Sequence, residues 1–477
     1  MKRIVNFAAM AGFCLMLFTG ATHAPAPTGL VVSNVTVISP ERATPLAHAY
    51  VRIVDGRVAE VSEHRLRGET EINGTGRFLI PGLIDSHVHL AVAPTGFPAP
   101  MTLEQARANP KIVAAALAQD PKSFLFFGFT TVVDLYGDAQ RAARWNALDI
   151  RPDAYFCDGM SIYKGHYYRI LGPVFSYDPA SLLGPEQRTP EKAAAAIKAD
   201  GASCMKAGSN SGDDITIEQG RALVDAAHAV GLPVFFHANA KDTQAYAVAI
   251  GVDVIAHGMW NGHTNDNGVL EDDGRQTLWK VIRDKIGYQP TIQVLFGELE
   301  LFHKDYLARP ELTDVYPRAL IEWYANAAIP FADQLRGIFR DKKLDADVEY
   351  AKTIGWDSKV TRILAEADAR LLFGTDTPSA WTYANPPGLN GRHEMDNWIA
   401  AGVSKEKLFH ALTIDNARAI HLDREIGTVE PGKRANLLLL GGNPLNGLDA
   451  YDKIETVFLH GRPIPRASLS ARDAPDL

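Results

Sequence analysis

Cysteine is scarce: three in 477 residues, at positions 14, 157 and 204. So sparse a set excludes a disulfide-stapled scaffold. Cys157 and Cys204 could pair in an oxidising compartment, but each falls in strand-like text, and buried free thiols are the expectation. Basic runs are lacking too, the 48 Lys and Arg being outnumbered by 56 Asp and Glu for a formal net charge of -8. That excludes the basic stripe a nucleic-acid partner needs and a polybasic membrane-surface anchor. No internal repeat and no low-complexity tract is visible, which removes solenoids and arrays. Long apolar runs are missing but for one: Lys2 and Arg3 lead into Ile4–Phe18 and then small residues. It is short for a membrane span and has the form of a secretory signal peptide. Residues 1–24 are therefore expected to be removed from an exported protein, periplasmic or secreted, with no stable membrane span. Pro25 and Pro27 leave the cleavage point open, Ala21 being one option.

What is present suits a globular chain, 46% hydrophobic and 22% charged, long enough for a large barrel and a smaller domain. From Leu30 to Phe78 the text is short and strand-like ("LVVSNVTVIS", "AYVRIVDGRVAEVS", "TEINGTGRF"), with Asp55-Gly56 as a hairpin turn. After Pro81 strands alternate with helices, the mark of parallel β/α architecture. The strand candidates end in "LIDSHVH", "FTTVVDLYG", "PDAYFCDG", "ASCMKAG", "LPVFFHAN", "VDVIAHG", "YQPTIQVLF" and "LLFGTDTP". Eight in this order predict a (β/α)8 TIM barrel over residues 81–422, with a helical insertion near 298–357. The tail from 423 to 477 returns to strands and is expected to join residues 25–80 in a small β-sandwich domain built from both chain ends.

Active sites in such barrels lie at the C-terminal ends of the strands. His87 and His89 close the first strand; alternation points both to one side. Lys206 closes the fourth, His237 the fifth, His257 the sixth and Asp376 the eighth. Any one of these would more often be a satisfied core or loop residue. Six in matching places is a pattern that imidazole and carboxylate ligation of zinc or a similar divalent ion explains. Lys206 is the odd member, since an ammonium repels a cation. A neutral amine, however, can take up carbon dioxide to form an anionic carbamate able to bridge two metals.

These segments, "PGLIDSHVHL", "GFTTVVD", "MKAG", "FFHAN", "IAHG" and "LLFGTD" together with the tail "HALTIDNARAIHL…IGTVEPGKRANLLLL", resemble the amidohydrolase superfamily. The likeness is to its two-metal branch with a carboxylated lysine, in the imidazolonepropionase-like group that includes X-Pro dipeptidases. It implies His87, His89 and Asp376 on a first divalent ion, His237 and His257 on a second (zinc being the expected metal), and carboxylated Lys206 between them. It also implies attack of a metal-bridging hydroxide on an amide carbonyl, with Asp376 as base and then acid. The expected substrate is a small-molecule amide, a dipeptide or N-acyl amino acid. His166, in "GMSIYKGHYYRI", resembles a residue that contacts the substrate carbonyl, although Lys164-Gly165 departs from the Gly-Gly-His of relatives; a surface-loop histidine is the competing reading. Arg169 and Arg392 could meet a substrate carboxylate or simply form salt bridges, His393 opens a helix, and His263 follows the sixth strand. The alternatives are a cyclic-amide or lactone hydrolase, a ring hydrolase or deaminase of imidazolone or nucleobase type, and a barrel that only binds. Deaminating relatives commonly lack the lysine, and binding-only relatives lack ligands. Homo-oligomerisation is left open.

Overall fold

Asp55 and Gly56 both take left-handed backbone angles (φ 49° and 75°), the turn that lets Val54 pair with Arg57 and starts the β2–β3 hairpin. Strands β1 (Leu30–Val37), β2 (Leu46–Val54), β3 (Arg57–Ser62), β4 (Thr70–Asn73) and β5 (Phe78–Pro81) come from the N-terminal side. From the C-terminal side come β14 (Leu437–Leu440), β15 (Ile454–Leu459) and β16 (Arg462–Pro465). They join in one sheet ordered β16-β15-β14-β5-β1-β2-β3, with β4 on β1. The two chain ends meet where Leu79 lies opposite Leu439. A β-sandwich was the expectation; what forms is a single sheet whose second layer is the α/β body. Alternation explains it: Leu437 and Leu439 enter the core of the small sheet, while Leu438 and Leu440 enter the core of the larger body. The same split puts Leu79 in one core and Ile80 in the other.

The computed structural model describes residues 29–90, 101–163, 166–170, 189–208, 216–260, 270–303, 305–327, 333, 336–337, 339–377 and 383–473. The expected signal segment, His263, Lys164 and Gly165 lie outside them.

The larger body is a curled parallel sheet of β6 (Leu83–Val88), β7 (Phe129–Leu135), β8 (Asp153–Tyr163), β10 (Cys204–Gly208), β11 (Val234–His237), β12 (Val254–Ala256) and β13 (Gly287–Gln289), in that order. Strands β6 and β7 are buried along their whole length, as a parallel sheet covered on both faces requires. Helices follow the strands: α1 (Leu103–Ala108) and α2 (Pro110–Phe126), α3 (Ala139–Asn146), α4 (Pro190–Ala199), α5 (Ile217–Ala229), α6 (Lys241–Ile250) and α7 (Asp272–Arg283). The segment 370–377, expected as the eighth strand, hydrogen-bonds at both ends of the sheet. At β13, Tyr288 N donates to Arg370 O and Leu372 N donates to Tyr288 O, and at β6 Ser86 N donates to Phe373 O. Isolated parallel bridges pair Leu371 with Tyr288 and Thr377 with Val88.

Three further expectations are corrected. The apolar run "YQPTIQVLF" is strand only as far as Gln289. Pro290 cannot donate to a ladder, Thr291 turns left-handed (φ 50°), and α8 (Ile292–Glu300) begins. The carboxylate of Glu394, on α11 (Leu389–Ala400), accepts from the first two amides of α8 at 3.0 and 2.6 Å. Second, the presumed loop after β8 is a hairpin, with β9 (His166–Ile170) folding back so that His166 lies opposite Tyr163. Third, Cys157 and Cys204 are neighbours on β8 and β10 and are joined as a disulfide rather than left as free thiols, since parallel register puts their Cα atoms 4.4 Å apart. The insertion carries α8, α9 (Arg318–Ala327) and the start of α10 (Ala346–Glu366). Among the described residues no helix is long and apolar enough to cross a membrane.

Candidate metal centre

Parallel strands deliver their last residues to one side of the sheet, and register sets how these side chains meet. His237 lies opposite Gly208 and Ala256, so Lys206, His237 and His257 come from three adjoining strands. A Cβ on Gly208 would sit 3.1 Å from that of His237, so glycine leaves the imidazole its space. His257 and Asp376 both hold left-handed backbone angles (φ 79° and 59°), which costs roughly 1–3 kcal/mol each for a residue with a Cβ. The strain is held by neighbours: Asp376 N donates to His87 O at 2.7 Å, and His89 N donates to Thr377 O at 2.7 Å.

The ligand atoms of His87, His257 and Asp376 lie within 4.8 Å of one another. Asp376 Oδ1 is 2.8 Å from His89 Nε2 and 3.3 Å from His87 Nε2, and its Oδ2 is 3.8 Å from His257 Nδ1. His237 joins through its ring, 4.5 Å from that of His257. Lys206 Nζ is buried 5.6 Å from the centre of the Tyr136 ring and makes no hydrogen bond among the described residues. His87, His89, His237, His257 and Asp376 thus form one cluster, and the charge of Lys206 is felt by His87 within it.

Its electrostatics favour donors over protons. Burial lowers His87 to about 3, helped by Lys206, and lowers His237 to about 4. Burial likewise holds His257 well below the usual imidazole range. Burial lowers Lys206 to about 7 against the pull of Asp376, so that a large neutral fraction exists at neutral pH. Burial would raise Asp376, but His87 and His257 beside it and the hydrogen bond with His89 hold it well below the usual carboxylate range. Neutral imidazoles, an ionised carboxylate and an uncharged buried amine are the donor set a divalent cation wants. The residues present fit a divalent metal ion.

A second layer fixes these groups. Asp85 Oδ2 accepts from Thr375 Oγ1 at 2.6 Å, and its Oδ1 accepts from the backbone N–H of His87 and of Thr375, tying the first ligand strand to the last. Gln289 donates to Ser86 Oγ at 2.8 Å, and Thr291 Oγ1 sits 3.2 Å from His257 Nδ1. Asn416 bonds Ile84 O and Phe373 O beneath them. Such partners orient ligands and tune their basicity. Asp134, at the end of β7, faces His89 Nδ1 at 4.0 Å and is held by Arg141 at 3.2 Å. It had no role in the sequence reading, although it closes the run "FTTVVD" as the ligands close theirs.

The remaining candidates fare differently. Arg392 forms the structural salt bridge that was its commoner fate, with Asp452 at 2.9 Å and Asp396 at 2.8 Å. His393 lies on α11, where burial lowers it. The side chains of His166 and Arg169 are outside the described residues.

Comparison with known proteins adds the family. A stretch of N-acetylglucosamine-6-phosphate deacetylase from Lysinibacillus sphaericus is 31% identical over 61 residues, 13% of this chain and 15% of that protein. The match thus spans far less than two thirds of that relative. Among solved structures, a Xaa-Pro dipeptidase with bound methionine superposes with a TM-score of 0.62 at 18% identity, covering 91% of this chain and 99% of that one. Molinate hydrolase gives 0.62 at 16% over 95% and 97%, and the ochratoxinase of A. niger 0.62 at 16% over 92% and 97%. At such identities the likeness is one of fold. The profile of the amidohydrolase family matches residues 78–266 and 355–464, which take in the five clustered side chains and Lys206, and the chain belongs to that family.

Proposed function

We propose that the chain is a metal-dependent hydrolase of carbon–nitrogen amide bonds, acting on a dipeptide or N-acyl amino acid. The observation that carries this reading is the convergence of His87, His257 and Asp376 within 4.8 Å beside the buried amine of Lys206. His87, His89 and Asp376 would hold one cation and His237 and His257 the other, with carboxylated Lys206 between. Bound there, two divalent ions supply an acidified water and Lewis acidity toward a carbonyl. Asp376 is suited to move the proton: its depressed pKa keeps it ionised, Oδ1 is engaged by His89, and Oδ2 is left to take a proton and return it to the leaving nitrogen. His166 at the start of β9 is assigned the substrate carbonyl on its motif position alone.

The sheet would close as a (β/α)8 barrel through residues 370–377, a reading supported by their hydrogen bonds to both β13 and β6. Export is supported by the Lys2-Arg3 and apolar opening and by the Cys157–Cys204 disulfide, a bond that persists in oxidising compartments. Cyclic amides and lactones fit the same donors and are the second reading. The test is metal analysis of the purified protein and a hydrolysis screen of the zinc-loaded form against dipeptides, N-acyl amino acids, cyclic amides and lactones. About two divalent ions per chain and cleavage of an open-chain amide are expected; a metal-free protein inert to every class would refute the proposal.

A further inference from the structure

Helix α8 starts beside the ligands, at Thr291 next to His257, and carries a carboxyl group that the metal centre does not use. Glu298 is half-buried, and its Oε2 accepts a hydrogen bond from Tyr350 on α10 at 3.0 Å. Tyr350 is itself fixed by the rings of Phe302 and Phe339, each 6.1 Å away. The helix cannot swing, because Glu394 pins its first amides and Gly297 packs on Asn385 so closely that a Cβ would overlap it. The apolar patch that takes in Phe296 and Tyr350 also includes Trp260, whose ring is 4.9 Å from that of His257. No ion pair to Glu298 exists among the described residues.

A carboxylate in such a place is costly unless a cation completes it. Burial pushes Glu298 up to about 7, the hydrogen bond from Tyr350 opposes this, and the charge of Asp376 adds to the rise. Among the described residues no cation supplies the missing counter-charge.

Building on the hydrolase reading above, we propose that Glu298, held by Tyr350, binds a protonated amine on the substrate, making the substrate a dipeptide or aminoacyl amide with a free amino group rather than an N-acyl amino acid. The ammonium would sit on Glu298, the neighbouring side chain on the Trp260–Phe296 patch, and the amide at the Asp376 cluster. Glu298→Gln keeps the shape and removes the charge.

The experiment compares the zinc-loaded wild type with Glu298→Gln and Glu298→Asp on L-alanyl dipeptides and the same dipeptides N-acetylated. The wild type should prefer the free amine, and Glu298→Gln should lower kcat/KM for free dipeptides about 30-fold or more, chiefly through KM, as removal of one partner of a buried charge pair does. The acetylated substrates should fall far less, and Glu298→Asp should keep part of the preference. A wild type that prefers acetylated substrates, or a variant that loses both classes equally, overturns the proposal while leaving the hydrolase reading intact. If nothing is cleaved, calorimetric binding decides: free dipeptides bound by the wild type and lost in Glu298→Gln sustain the amine site and refute hydrolysis, whereas no binding overturns both.

Discussion

Asp153 offers a sharp test of what holds the two sheets together. It opens β8, at the end of the strand away from the metal cluster, and its carboxylate accepts from Arg151 at 2.7 Å and from Arg434 and Asn436 at 2.9 Å, with His460 Nε2 2.9 Å from both oxygens. Three of these partners come from the C-terminal part of the small β sheet and its flanks, so one carboxylate links segments some 280–307 residues apart. Burial raises its pKa, but the hydrogen bonds and charges of His460, Arg434 and Arg151 outweigh that and leave it at about 2, against 3.8 for a free aspartate. A depressed carboxylate contributes stability that is present above its unfolded pKa and lost as pH falls through the folded one. A shift of this size corresponds to about 2.4 kcal/mol, intact above pH ~5 and with about 1 kcal/mol gone by pH ~3. Asp153→Asn should therefore lower the urea midpoint at pH 7, and the gap to the wild type should narrow as the pH falls from 5 to 3. Hydrolysis by the metal-loaded variant at 25 °C should match the wild type. A gap that stays constant across that range would refute the clamp.

Lys206→Ala should abolish carbamate formation and cut activity severely; full activity, or labelled bicarbonate that leaves no carbamate signal in the wild type, would refute the bridging role. Because the Lys206 amine must be neutral to react, reconstitution of the metal-free protein with zinc and bicarbonate should slow by about tenfold per pH unit below ~7, and indifference to bicarbonate would count against the same idea. Gly374→Ala places a Cβ 2.6 Å from that of His87 and 3.0 Å from Gln289 Nε2, so it should weaken zinc binding in a competition assay by about 10-fold or more; unchanged affinity would show that His87 need not stay where it is. Removing the disulfide with Cys157→Ala/Cys204→Ala, which frees a span of 47 residues, should cost about 4 kcal/mol in denaturant unfolding, and no loss would mean that the pairing contributes nothing.

The clustered side chains were legible because each ends an apolar run, and parallel strands carry such ends to one place whatever the loops do. Their backbone was not. The left-handed turns at His257 and Asp376 are enforced by hydrogen bonds from other strands, and no local residue type announces them. The seventh strand misled because "TIQVLF" is as apolar as a buried strand and as a buried helix, and its helical start depends on Glu394, 102 residues away. The β8–β9 hairpin did leave a trace, two alternating apolar and aromatic runs about Lys164-Gly165. The cysteine pairing was left open, since an exported chain could form it but β9 and α4 separate the two strands in sequence and hide the register that decides it. Glu298 was equally invisible: its importance lies in what it faces, and a lone glutamate on an apolar helix says nothing of that.

The strand bearing His87 and the segment bearing Asp376 are joined by a handful of hydrogen bonds, that of His89 with Asp376, 287 residues apart in sequence, among them. A cation seated between them would rivet that seam. Losing the ion would then unfasten the protein along one line instead of loosening it throughout, and amides near 370–377 would be the first to exchange with solvent. On the metal reading proposed above, the cation-free protein would be not just idle but split open at that seam, and proteases would cut it there first.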